Sequence, residues 1–345
     1  MAAPLRIGVL GAAAIAPNAI VRPAVRSSRA TVFGIAARNP ERARRFAERW
    51  SIPHTYPTYD ELLADPAIDA VYIPTPNGLH GCWAIAALEA GKHVLCEKPL
   101  AANADEARSV AEAAARRPNL VAMEAFHWRY HPMAQRTVDL VASGAIGEVM
   151  GAHGTFCVPN PRPGDIRWRW DLAGGALMDL GCYPLHMLRS FVEPDPVVVS
   201  ASARTFDRRV DRWMRGRLDA GGVDATIECS MLSRRLLSVT FRLVGTDGSI
   251  HLRNPVLPHL GGRLVLDANG RRHVERASRR PSYDAQLDAF CAAVFDGEPT
   301  LTPVTDSVAT MQVIDALYRA AGLPVREPSA APGTKVRART ATEPR

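Results

Sequence analysis

From residue 5 to about residue 125 the chain alternates short β-like runs with helical stretches, and this order restricts the fold more than any other feature. "LRIGVLG" precedes a helix-like stretch over 15–26, and "ATVFGIAAR" precedes an Ala/Arg-rich helix over 40–50 with Asn39 as its N-cap. "DAVYIPTP", the helical "LHGCWAIAALEAG", "KHVLCEKP", the helical "NADEARSVAEAAARR" capped by Asn103, and "NLVAMEAF" extend the series. Such a βαβα order predicts a parallel, doubly wound sheet.

The pattern changes after about residue 130. A helix over 131–143, a strand over 148–157, a loop rich in Pro, Trp and Arg, and a helix over 174–191 come first. Strand-like runs then follow one another without helices between them, at 196–206, 223–231, 235–244, 248–252, 262–267 and 271–276. They predict a mostly antiparallel open sheet in a second, α+β domain, closed by helices over 283–296 and 304–321. The expected division is 1–125, 126–325 and a disordered tail, 326–345.

With 345 residues, 47% of them hydrophobic, the chain can form two cores, and no apolar run reaches the length of a membrane span. The six cysteines are scattered without a C-x-x-C pair, which points to a reducing compartment and to no metal site. A strand starting at Leu5 leaves no room for a signal peptide, so the cytoplasm is expected. The net charge of +7 is dispersed over helix surfaces and the last residues, which speaks against a nucleic-acid groove.

"RIGVLGAAAIAPN" places Gly11, Ala13 and Ala16 at the small-residue positions of a dinucleotide-binding turn, G-x-A-x-x-A in place of G-x-G-x-x-G, with Ile15 beside them. An ordinary strand-to-helix turn is the competing reading. Where a NAD site offers an acid after the second strand, this sequence has Arg38, which suits a 2′-phosphate and so NADP(H). The alternative is a solvent-facing arginine opening a helix. Glu97 and Lys98, pinned by Pro99, fall at the carboxyl end of the β-run in "KHVLCEKP", the side on which open α/β sheets bind ligands. "GALMDLGCYPLH" puts Asp179, Tyr183 and His186 at i, i+4 and i+7 on one face of an otherwise apolar helix, so a hydrogen-bond network or a reaction site is expected there. Pro184 is expected to kink that helix just behind the tyrosine.

The Gly11 turn, "TPNGLH" at 75–80, "EKP" at 97–99, "EAFHWRYHP" at 124–132 and "GGALMDLGCY" at 174–183 occur in the order in which the Gfo/Idh/MocA oxidoreductases carry such motifs, and the chain resembles that family over about 5–190. The resemblance implies a Rossmann domain followed by a domain whose open sheet often forms a dimer interface. It also implies that Lys98 is the catalytic lysine and that Thr75, Pro76, Asn77 and His80 line the cofactor. Inositol-dehydrogenase-like members place histidine after the D-x-G motif, whereas Tyr183 looks like the branch with glucose-fructose oxidoreductase, NADP-dependent aldose dehydrogenases and trans-1,2-dihydrodiol dehydrogenase.

Proton chemistry fits independently, because alcohol oxidation needs a base and carbonyl reduction an acid. Lys98 is expected to lower the Tyr183 pKa and hold the substrate hydroxyl, with Asp179 orienting substrate or lysine and His186 packing in the core. On the substrate side, Arg129, Arg167 and Trp168 are the candidates, in a region that also holds Trp128, Tyr130, Arg169 and Trp170. The expected reaction is hydride transfer between NADP and a secondary alcohol or hemiacetal of a sugar, cyclic polyol or dihydrodiol. Keto-sugar reduction in secondary metabolism is the enzymatic alternative, and a non-catalytic NADP(H)-binding sensor is the alternative of another class.

Overall fold

The computed structural model describes residues 3–160, 162, 164–232 and 237–330. The first unit holds β1 (Leu5–Leu10), α1 (Arg22–Arg26), β2 (Ala30–Ala36), α2 (Pro40–Trp50), β3 (His54–Tyr56), α3 (Tyr59–Ala64), β4 (Ala70–Ile73), α4 (His80–Glu89), β5 (His93–Cys96), α5 (Ala104–Ala115) and β6 (Ala122–Glu124). The expected caps form: the Asn39 side chain accepts the N–H groups of Glu41 and Arg42, and Asn103 accepts that of Glu106. The six strands pair in parallel in the order β3-β2-β1-β4-β5-β6, so the order of strand addition reverses between β1 and β4 and opens a crevice at their carboxyl ends.

The second unit contains α6 (Pro132–Ala142), β7 (Val149–Cys157), α7 (Cys182–Phe191), β8 (Val197–Thr205), β9 (Asp211–Ala220), β10 (Val223–Ser230), β11 (Ser238–Gly245), β12 (Gly248–Arg253), β13 (Arg263–Ala268) and β14 (Arg271–Arg276). Its eight strands run β14-β13-β12-β11-β7-β10-β9-β8, with β7 and β10 parallel and the other pairs antiparallel. One face packs against α7 and the terminal helix α9 (Val304–Ala320). Phe156, Met214, Leu218, Ile227, Phe241 and Ile250 point into that layer and share a core with Tyr183, Leu185 and Leu188. Gly154 of β7 has no side chain because Pro184 sits there: a Cβ would lie 2.5 Å from the proline Cβ.

Beyond the short β3 and α3, which the sequence expectation does not include, three features differ from it. Strand β9 is absent from it because its inward residues are Met214, Gly216, Leu218 and Ala220, two of them small, between outward Arg215, Arg217 and Asp219. The small residues are needed there, since a Cβ on Gly216 would lie 2.4 Å from Leu317 of α9. Helix α8 (Ser282–Asp296) does not belong only to the second unit, because Tyr283, Leu287, Phe290 and Cys291 complete the core beneath β1 and β2.

The third is the tail, which does not begin at 326. The Arg326 side chain is fully buried, and its guanidinium binds Asp211 at 2.6 Å and the Gly174 carbonyl at 2.8 Å between the rings of Trp170 and Tyr318. Ser329 donates its N–H to the Gly78 carbonyl at 2.7 Å. Residues 331–345, like the start of the strand run expected at 235–244, lie outside the described residues.

Candidate active site

At the crevice β1 is followed by Gly11, whose φ of +129° lies in a region that L side chains rarely adopt, and whose N–H donates to the Ala36 carbonyl at 2.8 Å. Ala13 follows within the turn, Ala16 is fully buried beneath it, and Ile15 is exposed. Arg38 stands exposed just after β2, and Arg42 reaches back to donate to the Ala12 carbonyl at 3.1 Å. Neither arginine has a carboxylate partner among the described residues. Two guanidinium groups without a carboxylate partner, beside a turn of small residues, suit a phosphate-bearing dinucleotide. Across the crevice the Thr75 hydroxyl is buried without a protein partner, a further group that a bound cofactor can satisfy.

His80 plays a different part from the lining role expected of it. Its ring nitrogens lie 2.7 Å from the carbonyl oxygens of Thr75 and Pro99, tying the loop that holds Pro76 and Asn77 to the turn after Lys98. Two acceptors would suit an imidazolium, but burial, aided by Lys98, pushes its pKa down to about 4, so at neutral pH the ring donates to one of them. Glu97 faces inward, accepting the Tyr72 hydroxyl at 2.7 Å, and burial raises its pKa despite Lys98 and that hydrogen bond.

The catalytic candidates do meet. A wide π-type turn, Leu177–Gly181, brings in Asp179, and α7 then starts with Cys182 and Tyr183. The irregularity expected behind the tyrosine therefore lies ahead of it, where the Cys182 N–H reaches the Leu177 carbonyl. Lys98 Nζ donates to the Asp179 carbonyl at 2.8 Å, lies 3.7 Å from Asp179 Oδ1, and sits over the Tyr183 ring at 4.9 Å from its centroid. Burial opposes the lysine's charge, but Cys182, Asp179 and Glu97 outweigh it and its pKa is raised, which keeps it an ammonium.

Tyr183 corrects one expectation. Lys98 does not draw it towards phenolate, because burial first, and then Tyr283, Glu97, Cys182 and Asp179, hold its pKa well above the ordinary phenol value. The ring stands edge-on to Phe126 and Phe156, with its hydroxyl 3.2 Å from His127 Nε2. It is a neutral phenol.

On the substrate side, Arg167 Nε donates to Asp179 Oδ2 at 2.8 Å and its terminal nitrogen to Asp165 at 3.1 Å, so its charge is already matched. Trp168 is buried, stacked on Phe206 at 4.8 Å. Trp128 is core, and one terminal nitrogen of Arg129 is buried without a partner. His186 packs as expected: it lies flat on Phe126 at 4.0 Å, and burial holds it neutral.

Sequence reasoning missed the supports. The loop after Lys98 is held by buried carboxylates from three elements: Glu124 accepts the Leu100 N–H at 2.8 Å, Glu106 that of Ala102 at 2.7 Å, and Asp315 that of Ala104 at 3.1 Å. His127 was in a quoted motif, but nothing in its neighbourhood along the chain shows that it reaches Tyr183.

A Rossmann crevice with a glycine turn at one end and a lysine, tyrosine and aspartate cluster at the other defines a dinucleotide-dependent oxidoreductase. Residues 5–125 match "Oxidoreductase family, NAD-binding Rossmann fold", and residues 134–251 match "GFO/IDH/MocA C-terminal domain". The chain belongs to the Gfo/Idh/MocA oxidoreductase family. It is 38% identical over 322 residues to D-xylose 1-dehydrogenase (NADP(+)) 2 of Haloferax volcanii, covering 92% of this chain and 97% of that one. It is 34% identical over 274 residues to trans-1,2-dihydrobenzene-1,2-diol dehydrogenase of Mus musculus, covering 78% and 79%. Its fold is similar, at a TM-score of 0.84 and 30% identity, to a 3-ketoreductase from Actinomadura kijaniata in complex with NADP and TDP-benzene, over 92% of this chain and 98% of that one.

Proposed function

We propose that this protein is an NADP(H)-dependent sugar oxidoreductase in which Tyr183 moves the proton and Lys98 holds the reacting oxygen. The observation that carries this reading is the convergence of Lys98 Nζ, Asp179 and the Tyr183 ring at the carboxyl end of β5. Arg38 and Arg42 hold the 2′-phosphate, and Gly11, Ala13, Ile15 and Ala16 form the turn for the pyrophosphate. Thr75, Pro76 and Asn77 border the crevice beyond them. When bound, the nicotinamide supplies or accepts the hydride.

In reduction, the Tyr183 phenol gives its proton to the substrate oxygen as that oxygen gains charge, and the Lys98 ammonium stabilises the developing alkoxide. In oxidation the phenolate takes the proton back. Asp179 holds Lys98 from one side and Arg167 from the other, which fixes the ammonium above the tyrosine ring. Arg129 and Arg167 remain the proposed substrate contacts.

The substrate is a sugar, cyclic polyol or dihydrodiol. Reduction of a keto-sugar is the second reading, favoured by the neutral phenol, since a resting acid suits that direction. Aldoses, cyclitols, dihydrodiols and nucleotide-linked keto-sugars assayed with both NADP(H) and NAD(H), reading the absorbance of the reduced nicotinamide, test the proposal; no turnover with any of them overturns it. Free cysteines support a cytoplasmic setting, and the face of the eight-stranded sheet opposite α7 and α9 is the proposed homodimer contact, checked by light scattering.

A further inference from the structure

We infer that His127 and Ser282 act as a positioning pair that aims the Tyr183 proton at the substrate and steadies the phenolate left behind. The inference rests on the role proposed for Tyr183 and adds two residues to it. His127, just after β6, is 1% exposed, with Nε2 3.2 Å from the Tyr183 oxygen and Nδ1 2.9 Å from Ser282 Oγ at the start of α8. Its ring lies against Tyr283 at 4.0 Å between centroids. Three separate stretches of chain thus converge on a hydrogen-bonded row that ends at the phenol oxygen.

The direction of this row follows from counting hydrogens. Burial, aided by Lys98, His259 and His131, pushes the His127 pKa down to about 3, so the ring carries one N–H. If that hydrogen is on Nδ1, it donates to Ser282, Nε2 takes the phenol hydrogen, and Tyr183 points its proton away from any substrate. If it is on Nε2, the Ser282 hydroxyl donates to Nδ1, Nε2–H donates to the tyrosine oxygen, and the phenol hydrogen is free for the substrate. Only the second arrangement lets Tyr183 act as the acid while every donor in the row keeps an acceptor. In the reduction step the phenol O–H breaks, the substrate O–H forms, and the hydride comes from the reduced nicotinamide. The His127 hydrogen stays on nitrogen and its bond to oxygen becomes charge-assisted. Solvent returns the phenolate's proton when the product leaves.

The phenol is surrounded by groups that raise its pKa, Tyr283, Glu97, Cys182 and Asp179, and by the Lys98 ammonium over its ring face. His127 is the neutral donor aimed at the oxygen itself. Losing it removes more stabilisation from the phenolate, where the hydrogen bond is charge-assisted, than from the phenol.

The test measures kcat against pH in the oxidation direction, together with NADPH affinity, for His127→Phe, Ser282→Ala and Ser282→Thr. His127→Phe is expected to lower kcat roughly 100-fold and to move the pH limb upward by about one unit, with NADPH affinity unchanged. Ser282→Ala should shift the limb in the same direction by less, and Ser282→Thr, which keeps the hydroxyl, should restore it. In a Tyr183→Phe background, His127→Phe should cause no further loss. A pH limb that stays in place in His127→Phe, while Tyr183→Phe is inactive, overturns this inference and leaves the proposed function standing. Full activity in Tyr183→Phe overturns the proposed function itself. If His127→Phe does not fold, Ser282→Ala carries the test, and an unmoved limb there overturns the pairing.

Discussion

The charge on Tyr183 is set by what surrounds it. A phenol enclosed by Phe126, Phe156 and buried acids stays protonated, so Tyr183→Phe should lower carbonyl reduction about 1,000-fold while NADPH binding, followed by fluorescence titration, is unchanged. Arg38 makes the opposite kind of contribution, to binding and not to chemistry. Arg38→Glu removes a charge-assisted contact to the 2′-phosphate and offers the ribose hydroxyls an acceptor, so the ratio of kcat/KM for NADP to that for NAD should fall about 100-fold. Lys98, Tyr183 and Asp179 were legible in the sequence because each sits in a short motif at a fixed offset. The protonation state of Tyr183 was not, because it depends on Tyr283 and Glu97, which are far away along the chain. His127 and Ser282 were hidden for the same reason: they are 155 residues apart and meet only through the fold.

At the scale of elements, the loop after Lys98 depends on carboxyl groups whose pKa values burial raises. Burial raises Glu124 and Glu106 from 4.5 to about 7, and Asp315 from 3.8 to about 6. An acid whose folded pKa is raised stabilises the fold fully below its unfolded pKa and loses that contribution as pH rises through the folded value. The contribution of these acids should therefore decline as pH rises from about 4.5 to about 7, while the imidazoles of His80 and His127, held neutral by burial, contribute in the opposite sense, so Tm is compared between variants at each pH by calorimetry. Glu124→Gln keeps an acceptor for the Leu100 N–H and removes the titration, so the Tm of the wild type relative to this variant should fall as pH rises through that range. The alternating elements of the first sheet were legible because strand and helix periodicities differ. Strand β9 was not, since Gly216 and Ala220 give an inward face little hydrophobic contrast with its charged outward face.

Over the whole molecule the two units are joined by more than one crossing of the chain. Helix α8 returns to the first core, and Arg326 closes on Asp211 beneath the loop that carries Arg167. Asp211 also accepts the Leu177 N–H at 2.7 Å and the Tyr318 hydroxyl at 3.0 Å, so the pair fastens the wide turn that presents Asp179. Arg326→Met leaves a buried carboxylate unpaired and should lower stability by about 3–5 kcal/mol, measured by denaturant titration, and Asp211→Asn in the same background should recover part of it. The linear sequence gave no sign of this closure, since an isolated arginine in a Pro/Ser-rich segment looks the same whether it ends in solvent or in the core. The closure also sets an order in time. The ribosome makes Gly11, Lys98 and Tyr183 long before Arg326, so a nascent chain can fold its nucleotide-binding sheet early but cannot fasten its catalytic turn until almost all of the described chain has emerged.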